Sequence, residues 1–380
     1  MIHHDKKQSR RLLSLDGGGM LGLITLEILK KLETELSLAT GKGAKFRLGM
    51  FFDFIAGNST GSIIATGLAL GMTVDEIIEF YIDFGDEMFS KNVWFKRFRS
   101  KYNEKNLQKI LQDVTENKLL GSDELTCLLL VVLQNASTNS TWLISNNPHS
   151  KYNEKAHKFC NLNLPLWQLV RASTAAPSFF SPEEINVNAQ NRDNASFYFV
   201  DGGVSAHNNP ALALYRTVSM HKENLSWREG EQNLLLVSIG TGNVPRGDSS
   251  ISRRGRLFFK NAAMIPTEMI STLSAEQDIN CRFLGRCLYG ASVDRELGDM
   301  IPRDQDGIPI SEDTDTGKRF SYIRYNPDLS SNGLTELGKS HISTKIFREM
   351  DNTKFTTEFR EVGRKYAVDN VKVAHMSKFY

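Results

Sequence analysis

Short apolar runs that stop at glycines recur through the first 242 residues, and segments of helical spacing follow several of them. Residues 11–16 (RLLSLD) form the first run, ending at Gly17, Gly18 and Gly19. Leu23, Leu26, Ile28, Leu29, Leu32 and Leu36 then recur at helical spacing, so the pattern predicts strand, glycine turn and helix. Residues 51–56 predict a second strand, closed by GNSTG, and residues 62–71 a buried helix. Strands are predicted at 125–134 and 141–145 with a turn at Asn139-Ser140, a helix at 166–175, and a strand at 197–200 that stops at Asp201-Gly202-Gly203. Pro210 is placed to open a helix over 210–220, and 234–239 is a continuous apolar strand ending at Gly240-Thr241-Gly242. Alternating strands and helices predict an α/β fold with a mostly parallel, buried sheet.

Beyond Gly242 the texture changes. Residues 243–256 read as a loop, 261–284 as a helix, 303–318 as an aspartate-rich loop, 320–325 as a strand and 334–350 as a helix. The chain therefore divides into a core, 1–242, and elements over 243–380 that pack on it within one continuous domain and are candidates for regulation. The hexapeptide SKYNEK occurs at 100–105 and 150–155, but its flanks do not match and it reads as chance.

Composition changes this picture little. With 380 residues, 40% apolar and 24% charged, the chain has ordinary globular composition and enough length for a sizeable core. A net charge of +2 excludes a global nucleic-acid-binding character and leaves only local basic patches. The polar, basic start lacks the apolar run of a secretory signal. The longest apolar stretches, 62–72 and 128–133, fall short of the roughly 20 residues a bilayer span needs. Cys127, Cys160, Cys281 and Cys287 form no CxxC pair or zinc-like cluster and read as reduced structural thiols. A cytoplasmic protein without metal or cofactor fits these features.

Three glycine-rich elements, each after a strand, carry candidate chemistry, because function in parallel sheets collects at the carboxyl ends of strands. Gly57-Asn58-Ser59-Thr60-Gly61 matches G-x-S-x-G between strand and helix, a sharp turn that presents Ser59 as a nucleophile; the bland alternative is a tight turn needing two glycines. Gly17, Gly18 and Gly19 expose successive backbone N–H groups, suited to an oxyanion hole or a phosphate, although the spacing fits neither a P-loop nor a clean dinucleotide fingerprint. Asp201-Gly202-Gly203, taken alone, is a strand-end turn.

In order along the chain, LLSLDGGGMLG, IAGNSTGS, RASTAAPSFF, FVDGGVSAHNNPALA and LLLVSIGTG resemble the patatin-like phospholipase family. These motifs span residues 12–242, about two thirds of the chain. The resemblance implies a three-layer α/β/α fold and a Ser–Asp dyad without histidine: Ser59 as nucleophile, Asp201 as base, and Gly17, Gly18 and Gly19 as oxyanion loop, with the Thr60 N–H as an extra donor. The sequence departs from the family at Leu21, where Arg or Lys is common, at Asn58 for a commoner Thr and at Ser62 for a commoner Gly; none of these removes a reacting group.

The expected activity is cleavage of fatty acyl esters of membrane phospholipids through an acyl-enzyme, at the inner face of the membrane. His207, six residues after Asp201 and just before a helix start, is expected to be structural rather than the base. Residues 91–101 (KNVWFKRFRSK) mix basic and aromatic side chains, suiting either an anionic lipid interface or a surface loop. In layout the chain is similar to patatin-like anti-phage effectors switched on by cyclic oligonucleotides. That likeness implies an anionic activator, homo-oligomers on activation, and candidate anion contacts at 246–256 or around Arg364 and Lys365. The competing readings are a ligand-sensing module with vestigial catalysis and a small-ester esterase or peptidase.

Overall fold

The computed structural model describes residues 9–89, 100–154, 160–177, 180–187, 196–220, 225, 227–243, 258–310 and 317–380. Among them one nine-stranded sheet organises the molecule. Its strands are β1 (Arg10–Leu15), β2 (Phe54–Gly57), β3 (Leu128–Asn135), β4 (Ser140–Ser145), β5 (Glu183–Asn186), β6 (Ser196–Asp201), β7 (Leu234–Ile239), β8 (Arg286–Tyr289) and β9 (Ser321–Tyr325). The order is β5-β6-β3-β2-β1-β7-β9-β8, with β4 paired to β3. The pairings from β3 through to β8 are parallel; those of β4, β5 and β6 are antiparallel.

Side chains alternate along the strands and so feed two cores. Leu13, Leu15, Ile55, Val131, Val237, Ile239 and Ile323 face the helices Gly22–Ala39, Thr60–Ala69 and Thr356–Asn370. Leu12, Phe54, Leu130, Leu236 and Tyr322 face the helices Ala211–Ser219 and Phe258–Leu284. The result is a helix–sheet–helix sandwich in which both faces of the sheet are buried, which is why its strands are continuous apolar runs instead of alternating ones.

The register of β3 positions the site. β4 occupies one edge of β3 from Leu130 to Asn135, so β2 and β6 share the other. β2 runs parallel to β3 and ends with Gly57 opposite Val131. β6 runs antiparallel and ends with Asp201 opposite Leu133. Two strands thus terminate head to head, one on each side of Val132, and whatever follows them must meet there.

Residues beyond 243 complete the sheet. β9 lies directly against β7, β8 against β9, and Asn243 bridges Asp328. The helix Thr356–Asn370 packs on Gly22–Ala39, where the buried Glu27 carboxylate receives Arg360 at 2.6 Å and Arg364 at 3.1 Å.

The helix expected over 334–350 is corrected. It is a short helix, Ser331–Glu336, then a turn and the 3₁₀ segment Thr344–Arg348. Gly338 takes φ +66 and closes the first helix, with the Lys339 N–H returning to the Leu334 carbonyl at 2.7 Å. The second strand starts at Phe54 instead of residue 51, because Leu48–Phe51 forms one helical turn first. The two SKYNEK copies take different structures, one in the helix Ser100–Thr115 and one around a 3₁₀ turn at Lys151–Asn153. All four cysteines are buried and unpaired. Among the described residues, no helix is long and apolar enough to cross a membrane.

Candidate active site

Ser59 stands between β2 and the helix Thr60–Ala69 with φ 49 and ψ −124. A non-glycine residue at positive φ is strained, and such strain persists only where the surroundings enforce it. Here they do. A Cβ on Gly57 would lie 2.1 Å from the Gly61 carbonyl oxygen, and one on Gly61 would lie 2.2 Å from the Leu15 carbonyl oxygen. Both flanking positions therefore require glycine, and the turn folds back tightly enough to lift Ser59 out of the sheet. The Ser59 N–H donates to Ser173 Oγ at 2.9 Å, and Ser173 in turn donates to the Val132 carbonyl at 2.8 Å.

Asp201, at the end of β6, is 7% exposed. Its carboxylate accepts the Gly203 N–H at 2.7 Å. Burial pushes its pKa up to about 6, against the opposing pull of the nearby Ser59 hydroxyl, the Gly203 N–H and the Asn58 side chain, in that order. The structure thus brings Ser59 and Asp201 to the same corner. His207 is not among these partners of Asp201. Its Nδ1 is buried without a hydrogen-bond partner among the described residues, and its pKa is lowered by burial and by the charge of Arg216.

The glycine loop after β1 crosses the same corner. A Cβ on Gly17 would meet the Ser59 Cβ at 3.1 Å, and one on Gly22 would meet Thr60 Oγ1 at 2.6 Å. One refinement of the sequence expectation concerns Gly17. Its N–H is already given to the Asn208 carbonyl at 3.1 Å, and its carbonyl accepts Asn208 Nδ2 at 3.4 Å and Thr241 Oγ1 at 3.2 Å. Gly17 is therefore held on both polar groups, and the N–H groups of Gly18 and Gly19 are the ones left without an acceptor among the described residues. Gly19 sits at φ +58. The Thr60 N–H opens its helix and has no intrahelical acceptor, while Thr60 Oγ1 is hydrogen-bonded to Tyr81. Leu21 is buried and brings no charge to the loop.

Several residues that shape this corner carried no role in the sequence reading. Asn58 Nδ2 donates to Asn208 Oδ1 at 3.2 Å, near enough to Asp201 to favour its charged form. Ser173, Asn208 and Thr241 lie inside the matched motifs, where the sequence assigns them no role. Arg324 and Met350 lie outside them, and their partners are more than three hundred residues away. Of the proposed anion contacts, Arg364 is bound to Glu27 and Lys365 to Asp369 at 2.8 Å. Residues 246–256 lie outside the described residues, as does the 91–101 stretch apart from the two that open the helix Ser100–Thr115.

A family model described as patatin-like phospholipase matches residues 13–215. "Intracellular phospholipase A2" of Caenorhabditis elegans is 30% identical over 246 residues, covering 63% of this chain and 20% of that protein. "Patatin-01" of Solanum tuberosum is 28% identical over 250 residues, covering 63% of this chain and 62% of that one. "Probable inactive patatin-like protein 9" of Arabidopsis thaliana is 27% identical over 253 residues, covering 64% and 63%. The chain thus spans from one fifth to just under two thirds of the length of these relatives. The matched residues contain the glycine loop, the strained serine turn and Asp201, and the chain belongs to the patatin-like phospholipase family.

Proposed function

We propose that the protein is a lipid acyl hydrolase that cleaves fatty acyl esters of membrane phospholipids with Ser59 as nucleophile and Asp201 as its base. The observation that carries this reading is that Ser59, held at positive φ on its tight turn, lies beside a buried carboxylate whose pKa burial pushes up to about 6, close enough to oppose that shift. A carboxylate with the ordinary value of about 3.9 holds a proton too weakly to assist such an attack near neutral pH. Asp201 takes the hydroxyl proton as Ser59 Oγ adds to the ester carbonyl. The oxyanion is received by the N–H groups of Gly18, Gly19 and Thr60, donors of a kind whose individual removal typically costs about 10²–10³ in kcat. Asp201 then returns the proton to the departing alcohol, leaving a lysolipid and acyl-Ser59. Water activated by the same carboxylate releases the fatty acid.

The placement of both Ser59 and Asp201 at one corner weighs against vestigial catalysis. The name of one relative shows that family membership alone does not decide activity. Phospholipid vesicles assayed beside soluble p-nitrophenyl esters test the substrate class. Fatty-acid release from vesicles that disappears in Ser59→Ala supports the reading; turnover of soluble esters alone would make the protein an esterase, and no turnover of either a binding module.

Control by a cyclic oligonucleotide, with assembly into homo-oligomers, rests on likeness of layout. An anion at Arg364 or Lys365 has to compete with Glu27 or Asp369. A melting screen against cyclic di- and trinucleotides tests it, because a ligand that binds only the folded state stabilises it by about 2.7 kcal/mol at a hundredfold excess over its Kd.

A further inference from the structure

The sheet face that carries the helices Ala211–Ser219 and Phe258–Leu284 changes character near its carboxyl end. Leu12, Leu236 and Tyr322 form one apolar row across β1, β7 and β9. Two residues further on, the equivalent row is Ser14, Ser238 and Arg324, all buried. Stability alone does not call for this row. Desolvating an ion pair costs several kcal/mol per ion, and well-packed apolar residues often serve as well or better.

Arg324 reaches from β9 past β7 to Asp16. Its Nη1 donates to Asp16 Oδ1 at 3.0 Å and its Nη2 to Asp16 Oδ2 at 2.6 Å, a two-point pair that fixes orientation as well as distance. Nη1 also donates to Ser238 Oγ at 2.7 Å. The two side chains are 4% and 5% exposed. Asp16 is the residue immediately before Gly17, and its own N–H is bonded to the Ile239 carbonyl at 3.1 Å. On the other flank, the Met20 N–H is bonded to the Met350 carbonyl at 2.7 Å. A run of three glycines has the most permissive backbone available and no side chains with which to fix itself. Its donors must nevertheless be aimed closely, since a misplacement of about 1 Å can cost about 10²-fold in rate.

We propose that Arg324 is a positioning residue: bound to Asp16, it sets the geometry of the oxyanion loop that follows. The proposal rests on the reading of Gly18 and Gly19 as oxyanion donors. It also assigns work in the reaction to a residue outside the family match, which ends at residue 215.

The test uses the full chain, with p-nitrophenyl butyrate kinetics and thermal melting of Arg324→Lys and of the paired variant Asp16→Asn with Arg324→Met. The paired variant removes both charges together, so that neither member of the pair is left as a stranded buried ion and the fold is expected to be retained. Its kcat is expected to fall about 10²-fold, with KM changed less than about threefold. Arg324→Lys keeps the charge but has no planar fork; its kcat is expected to fall more than threefold but less than that of the paired variant. A folded paired variant, or Arg324→Lys, with kcat within threefold of wild type overturns the proposal, and so does a loss confined to KM. Should the paired variant not fold, the kcat-against-KM split in Arg324→Lys decides. Ser59→Ala, run beside them, separates this failure from a wider one. Inactive Ser59→Ala with fully active Arg324 variants rejects only the positioning role, whereas active Ser59→Ala rejects the serine mechanism and the positioning role together.

Discussion

In the proposed mechanism Asp201 acts as a base at a pH where an exposed aspartate is a poor one, and its burial at the end of β6 is what allows it. Its pKa of about 6 makes kcat/KM rise as pH climbs through about 6 and level off above it, which a pH–rate profile on a soluble ester checks. The same shift has a cost in stability, with a definite sign. An acid whose folded pKa exceeds its unfolded value stabilises the fold fully only below the unfolded value, near pH 4, and that contribution is lost as pH rises through about 6. Asp201→Asn is therefore expected to abolish hydrolysis yet melt higher than wild type at pH 8. The gain is at most about 3 kcal/mol, from roughly two units at 1.36 kcal/mol each, and it vanishes below about pH 4. A variant that melts lower than wild type at pH 8 would contradict this account of the shift. That Ser59 and Asp201 share one corner was legible from the sequence because both lie inside short local motifs. Asn58 and Ser173 lie in the same motifs, but their roles depend on what the fold sets opposite them.

At the scale of elements, the site follows from three strand ends and the turns that leave them. The G-x-S-x-G turn is tight because Gly61 lies against the last carbonyls of β1. Gly61→Ala would press a methyl group on backbone atoms that cannot swing aside, and it is expected to cost several kcal/mol, in the range reserved for overpacking and strain at special positions. Urea denaturation measures it, and a loss below 1 kcal/mol would mean that the turn relaxes. Runs such as 11–16 and 234–239 were readable because buried parallel strands are continuously apolar and stop at glycine. The 334–350 segment misled because its apolar spacing carries across Gly338, whose positive φ ends the helix. The charged segment 291–300 (ASVDRELGDM) carries no sequence motif that names a chemistry. It is a braced loop, in which Arg282 donates to the carbonyls of Ala291 and Asp299 at 2.8 Å each and Asp294 Oδ1 accepts two N–H groups.

At the scale of the molecule, the boundary after residue 242 marks a change of texture and not a seam. β9 pairs with β7 along its length, and Arg324 and Met350 hold the two flanks of the glycine loop. Sequence pattern showed the strand at 320–325 but not its place in the sheet, since register is decided by packing between distant segments. A chain cut after residue 242 would expose β7 as a long apolar edge. It is expected to aggregate, or to lose reaction with a fluorophosphonate probe if it remains soluble; gel filtration and labelling check this together. The most direct test of the mechanism is to trap its intermediate. The enzyme is mixed with a phospholipid, quenched in acid within the first turnovers and digested for mass spectrometry. The account predicts a fatty acyl adduct on the peptide that contains Ser59, absent in Ser59→Ala. Steady fatty-acid release with no adduct on that peptide, or an adduct on another residue, would contradict it.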